Sequence, residues 1–382
     1  MSGGACIPRD PVRIGLDATC FDDRPSGANQ RFRELYGQLI RANPQVAFVV
    51  YEAADCGAGA WYGDLPNVTV RRTPVPGTGR LRRFWRGRRY WRRALARDAL
   101  DLFETFTLPL VVAPDCPTIL TIHDLRGLRA DVPRPARWLA AAVTRHAFAR
   151  AAHIIAVSDT VRDEILAVRP GTPVSTIYNG VIARSPPDAA EVAAVVQRHT
   201  LPARFALTVG HLEPRKNLPM LVDAFACLRD AGRPLPLVIV GNDGGARGAI
   251  EGRIARHGMS GLVSIIAQAD DGTVAALYAA CAVVVLPSAY EGFGIPLIEA
   301  MAAHKPVVTS DIAVFRELTC GNGVYFAPDA PRGAAAVIDR LMSEPIARAR
   351  LVAFADTRVG DFDFTRLAGE LAALQAQVIR AA

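Results

Sequence analysis

Short runs of β-branched and aliphatic residues recur along this chain, and each is followed by a stretch with apolar residues at helical spacing. Val12-Arg-Ile-Gly-Leu-Asp17, Thr118-Ile-Leu-Thr-Ile122, Phe205-Ala-Leu-Thr-Val209, Leu237-Val-Ile-Val240 and Ala282-Val-Val-Val-Leu286 are examples. Runs this short and this uniformly apolar suit strands buried on both faces, which is the position of strands in a parallel sheet. Parallel neighbours need a crossover, so strand–helix alternation means helices layered on sheets. The alternation runs through Val174-Ser-Thr-Ile-Tyr178, breaks near Ser185-Pro186-Pro187-Asp188, and restarts. The expected fold is therefore α/β, with two doubly wound Rossmann-like domains facing across a cleft. The N-terminal domain is expected over 1–183 and the second over 184–361. Residues 362–382 read as a helix, expected to pack back on the first domain.

The chain has 382 residues, 51% of them hydrophobic and 21% charged, an ordinary globular balance. No apolar run reaches the ~20 residues of a spanning helix. The N-terminus lacks the apolar core of a signal peptide, so a cytoplasmic location is expected. Seven cysteines stand at 6, 20, 56, 116, 227, 281 and 320, with no C-x-x-C spacing. Free thiols are expected, and no zinc site. The net charge of +7 is carried almost entirely by arginine. Residues 79–97 hold nine arginines with Phe84, Trp85, Tyr90 and Trp91. Leu81, Phe84, Trp85, Trp91 and Leu95 are read as one helical face, with Gly87 weakening the helix. A basic, aromatic, amphipathic segment suits an anionic membrane surface. A solvated helix with its aromatics on the core is the plainer reading, and nothing else in the chain supports nucleic acid.

Two segments carry the chemistry. After the run ending at Leu286 comes Ser288-Ala-Tyr-Glu291-Gly-Phe-Gly-Ile-Pro-Leu-Ile-Glu299. Gly292 and Gly294 let backbone approach a ligand closely. Pro296 fits a first helical position, and Glu299 is expected in the first turn. A glycine loop between a strand end and a helix start is where open α/β sheets hold phosphorylated ligands. Acceptor-only carboxylates on either side of it suit sugar hydroxyls. The second segment, Gly210-His-Leu-Glu-Pro-Arg215-Lys216-Asn217, follows Val209, so two adjacent cations sit at another strand end. They suit a diphosphate, and Asn217 is expected to cap the next helix. Lys216 is one of only two lysines, the other being Lys305.

The order of these two segments resembles the retaining family-4 glycosyltransferases, which have the two-domain GT-B fold. Thr121-Ile-His123-Asp124, Ile155-Ala-Val-Ser158, Tyr178-Asn179-Gly180-Val181 and Val240-Gly241 fall in the family's order too, so the likeness covers most of the chain. The resemblance implies that Glu291 lies by the donor sugar and Glu299 binds ribose hydroxyls. It also places the Gly292, Phe293, Gly294 and Ile295 amides near sugar and diphosphate, with Gly210 beside them. Arg215 and Lys216 would hold the diphosphate, and His123 would contact the sugar from the other domain. Gly27 would lie near the phosphates. The loop reads Ser26-Gly27-Ala28-Asn29-Gln30-Arg31 where relatives commonly have a second glycine and an arginine-aromatic pair, so roles for Asn29 and Arg31 stay open. Glu104 also departs from the family pattern and is expected to alter acceptor contacts.

The activity so implied is hexose transfer, mannose favoured, from a nucleoside diphosphate sugar (GDP-mannose) to a glycan or polyprenyl-linked acceptor in surface polysaccharide synthesis. No metal and no cofactor are expected, and membrane contact would be peripheral, through 79–97. The alternatives are a non-catalytic sugar-nucleotide-binding protein and a sugar-nucleotide epimerase. A phosphorylase would need a cofactor lysine, for which only Lys305 is spare. A nicotinamide dehydrogenase is disfavoured, since no G-x-G-x-x-G follows the first strand.

Overall fold

The computed structural model describes residues 11–22, 26–109, 115–182 and 186–382. Cys6, the loop residues 23–25 and the expected boundary at 183–184 lie outside the described residues. The chain divides into two compact units, one of Met1–Gly180 with Asp363–Ala382, the other of Val181–Phe362.

The first unit carries a seven-stranded parallel sheet. Its strands are β1 (Arg13–Ala18), β2 (Ala47–Glu52), β3 (Val68–Arg72), β4 (Leu102–Thr105), β5 (Thr118–Ile122), β6 (His153–Ala156) and β7 (Val174–Thr176). The spatial order is β3-β2-β1-β4-β5-β6-β7. The second unit carries six parallel strands: β8 (Ala206–Val209), β9 (Leu237–Val240), β10 (Val263–Ile266), β11 (Val283–Leu286), β12 (Val307–Ser310) and β13 (Val324–Phe326). Their order is β10-β9-β8-β11-β12-β13. In both sheets the order reverses beside the unit's first strand, between β1 and β4 and between β8 and β11. These switch points are where open parallel sheets leave a crevice at their C-terminal ends.

The segment Leu100-Asp-Leu-Phe103 reads as a short strand in sequence, yet β4 begins only at Leu102. The preceding helix ends at Ala99 in a left-handed turn (φ 47°), and the Asp101 carboxylate accepts from the Arg13 amide at 2.8 Å. Asp101 thus already bonds β1 through Arg13, and the strand pairing proper starts at Leu102, which pairs with Ile14. Glu104, expected among the acceptor contacts, is fully buried. It accepts from the Tyr36 hydroxyl at 2.5 Å and from the Gln375 amide. Gln375 lies on the last helix, Phe364–Ala381, which buries Leu367, Leu371, Leu374 and Val378. Glu104 is thus an internal tie between the sheet and the returning C-terminus, out of reach of any acceptor.

The arginine-rich segment is one uninterrupted helix, Arg80–Asp98. Gly87 does not interrupt it. It is buried, and a Cβ there would sit 3.0 Å from the Trp91 ring, so the missing side chain admits the indole. Trp91 and Leu95 pack with Tyr51, Val75 and Phe103 in the core. Trp85 is 66% exposed and does not share their face, because six residues turn an α-helix through about 240°. The side chains of Leu81 and Phe84 lie outside the described residues. Among the described residues no helix is long and apolar enough to cross a membrane. The six described cysteines are all unbridged.

Candidate donor site in the second unit

Gly210 ends β8 with φ 141°, and a Cβ on it would lie 3.3 Å from the Lys216 side chain. Next to it, Gly241 ends β9, where a Cβ would fall 2.0 Å from the Gly210 carbonyl. Two strand ends therefore come together because neither residue has a side chain. The chain then makes a single 3-10 turn, Pro214–Lys216, that delivers both cations. Asn217 follows in a left-handed conformation (φ 54°). Its side chain does not cap the helix Leu218–Asp230; it donates to the Pro328 carbonyl at 2.7 Å. The left-handed backbone turns the amide away from the helix N-terminus, so the expected cap gives way to a long-range tether.

The second segment runs from β11 into the helix Ile295–Ala302. Its loop, Glu291 to Gly294, is buried throughout. Gly294 has φ 122°, and a Cβ there would meet the Phe315 ring at 2.7 Å. Pro296 lies at the helix start, as its fixed φ favours. Glu299 is not in the first turn, which contains no acidic residue. It lies on the second turn, where its carboxylate accepts from the Tyr278 hydroxyl at 3.1 Å.

Glu291 joins the two segments. Its Oε1 lies 2.6 Å from Lys216 Nζ and accepts from the Ser288 hydroxyl at 2.8 Å. Its Oε2 accepts from the Arg215 guanidinium, which also donates to Glu213 at 2.6 Å. The Ala289 amide donates to the Arg215 carbonyl at 2.8 Å, fastening the two loops through backbone as well. Burial alone would raise the Glu291 carboxyl, but Lys216 and Arg215 outweigh it and hold the group below the usual range. Burial likewise works against the Arg215 charge, and Glu291 and Glu213 more than restore it. The result is a buried carboxylate between two fixed cations, with about one of its four acceptor positions still open.

Beside this cluster lies an open recess lined by Gly210, Lys216, Ser288, Glu291, Gly294 and Pro296 among others. Such a recess presents the Lys216 ammonium and a helix N-terminus to an anion and the Glu291 carboxylate edge to hydroxyls, with Arg215 held behind Glu291. Among the described residues no group of three metal-ligating side chains stands together. Lys305 donates to the Ala279 carbonyl at 2.6 Å and does not line this recess.

Gly27 and His123 belong to the first unit. Gly27 opens the helix Gly27–Arg31, capped by the Ser26 hydroxyl accepting from the Asn29 amide at 3.1 Å. That helix continues through a π-turn, Phe32–Tyr36, a distortion that often marks functional sites. His123 directly follows β5. Burial, then the nearby Arg31 charge, push its pKa down to about 3, so it is neutral at ordinary pH. Arg31 itself is 2% exposed and holds the Tyr178 carbonyl and, at 3.1 Å, Asn179 Oδ1. Among the described residues its Nε and Nη2 have no hydrogen-bond partner. The sequence reading left Arg31 open, and missed the parts of Ser288, Glu213 and Tyr278. Ser288 and Glu213 sat inside the quoted motifs, three and two residues from the groups they hold; Tyr278 lies on another helix and had no local signal.

Comparison with known proteins supplies the class. Residues 25–184 match the family Glycosyltransferase Family 4, and residues 195–358 match Glycosyl transferases group 1. Together the two matches take in most of the chain, which belongs to the family-4 glycosyltransferases and has the GT-B type of fold. The chain is 33% identical over 184 residues to O-antigen chain mannosyltransferase B of Escherichia coli, covering 46% of this chain and 48% of that one. It is 26% identical over 310 residues to O-antigen chain mannosyltransferase RfbU of Salmonella typhimurium, covering 79% and 81%. The chain thus spans about half the length of the first of these relatives. Among solved structures, Anabaena HepE in complex with UDP and glucose superposes with a TM-score of 0.76 at 20% identity, over 96% of this chain and 100% of that one.

Proposed function

We propose that this chain is a retaining glycosyltransferase that moves a hexose from a nucleoside diphosphate sugar to a hydroxyl of a glycan or polyprenyl-linked acceptor. The observation that carries the reading is the Arg215–Glu291–Lys216 cluster at the switch point of the second sheet. In the reaction the bond from the anomeric carbon to the diphosphate breaks and a bond to the acceptor oxygen forms on the same face. The acceptor's proton passes to the departing phosphate oxygen. Arg215 and Lys216 neutralise the charge that develops on that diphosphate, which is the largest electrostatic demand of the step. Glu291 keeps the two cations in register and turns its remaining acceptor position toward a sugar hydroxyl. Glu299, steadied by Tyr278, takes the ribose, and the Gly292 to Ile295 amides line the phosphate path. Neutral His123 serves as a hydrogen-bonding partner of the sugar and does not titrate during turnover.

The cations do the work that a divalent metal does elsewhere, so transfer needs neither metal nor cofactor. Mannose from GDP-mannose is the favoured donor, on the likeness to O-antigen mannosyltransferases. That likeness also suggests surface polysaccharide synthesis; the peripheral membrane contact through 79–97, on the cytoplasmic side, rests instead on the basic and aromatic composition of that segment. The test is a panel of radiolabelled nucleotide sugars with and without chelator. Transfer, or slow hydrolysis, from one donor supports the reading. Binding without turnover across donors and acceptors would make this a sugar-nucleotide-binding protein, and interconversion of the sugar an epimerase.

A further inference from the structure

The helix Arg134–Arg150 is exposed in a way that a helix covering a parallel sheet ordinarily is not. Its buried residues are Thr144, Ala147 and Phe148, all in the C-terminal half, and nothing from Arg134 to Val143 is buried. Trp138 is 76% exposed and Leu139 68%. At about 100° per residue, Trp138, Leu139 and Ala142 form one stripe that continues through His146. Arg134 and Arg145 border it on one side and Arg150 on the other, and all are exposed. No acidic residue occurs between Asp131 and Asp159.

The sheet topology gives this stripe a context. β3 connects to β4 through the helix Arg80–Asp98, and β5 connects to β6 through Arg134–Arg150. Both connections step in the same direction across the sheet, so right-handed crossovers put both helices on the same face. Both helices on that face are rich in arginine in sequence, nine in one and four in the other. The single carboxylate on the two helices, Asp98, is occupied by Tyr51 at 2.8 Å and by Arg97 and Arg71. An indole and a leucine standing in water, within a field of arginines and no free acid, match the depth profile of a lipid interface. Aromatic rings enter the headgroup layer and cations meet anionic phosphates.

We propose that the N-terminal half of Arg134–Arg150, led by Trp138 and Leu139, docks on an anionic lipid bilayer surface. It is a second anchor in addition to the arginine-rich helix, and the proposal rests on the peripheral-membrane part of the reading above. Two anchors on one sheet face fix the tilt of the unit on the bilayer, where a single helix would leave it free to rotate.

The test is flotation of the full chain with vesicles of phosphatidylcholine, with or without 30% phosphatidylglycerol (about the anionic fraction that gives a strong surface potential). Wild type, W85S and W138S/L139S are compared. Both sites are exposed, so the variants should melt like wild type, which circular dichroism verifies. The expected result is binding to anionic vesicles only, lost on raising salt, and weakened about tenfold or more in W138S/L139S. Quenching of tryptophan fluorescence by brominated lipid should fall in the same variant. Wild-type binding that W138S/L139S leaves unchanged overturns this inference while the reading of 79–97 survives. No binding by wild type sinks both. Sedimentation showing a dimer that W138S/L139S dissociates, with vesicle binding intact, would assign the stripe to a second copy instead.

Discussion

Glu291 was legible in the sequence as a functional carboxylate, but its partners were not. A motif shows spacing along the chain, whereas the carboxylate's bonds to Arg215 and Lys216 cross about 75 residues. Substituting Glu291→Gln keeps the volume and removes the charge that holds both cations. The expected loss in kcat is on the order of 10²–10³-fold, with Lys216→Ala comparable. Because the cluster is partly open to solvent, stability should fall by only roughly 2 kcal/mol. Steady-state kinetics and thermal melts on the same samples separate the two effects. Activity surviving in both variants would remove the cluster from catalysis. His123 gives a second residue-scale test. It resists protonation until about pH 3 in the folded unit, against 6.5 for an ordinary histidine. Its contribution to stability is therefore complete above pH 6.5 and is lost as pH falls toward 3, because the unfolded chain takes up the proton first. His123→Asn should flatten the decline in urea midpoint between pH 7.5 and 4.5. An unchanged slope would mean that the imidazole is hydrated.

At the scale of elements, nearly every strand could be read from its β-branched run, since burial on both faces leaves a composition that tolerates little else. What could not be read were the places where backbone geometry overrides local preference. Gly87 reads as a weak point of its helix and is also the gap that admits Trp91; Asn217 reads as a cap and is a tether. Both outcomes depend on residues distant in the chain, on which local propensity is silent. Gly294 is the sharpest case. Its positive φ and the Phe315 ring 2.7 Å from any Cβ leave no room for a side chain. Gly294→Ala should destabilise the second unit by roughly 1–3 kcal/mol and, on the proposed function, raise the donor KM, because it distorts the helix start to which that proposal assigns the phosphates. A variant with wild-type melting and KM would show that the loop is slack.

For the molecule as a whole, the fold class and the family were both legible, because the strand–helix alternation and the ordered motifs extend over most of the chain. The return of the C-terminus was legible only as an apolar helix; its attachment through Gln375 to a buried Glu104 was not, since neither residue type signals burial. Gln375→Ala should leave that carboxylate short of a donor and lower the melting temperature by about 3–8 °C, read by calorimetry. The central claim, however, concerns chemistry. The most direct measurement is transfer of radiolabelled sugar from GDP-mannose to a polyprenyl-linked glycan in the presence of chelator, with the anomeric configuration of the product assigned by NMR. The account predicts a product that keeps the donor's configuration, formed without metal and lost in Lys216→Ala. An inverted product, or transfer undiminished in Lys216→Ala, would contradict it.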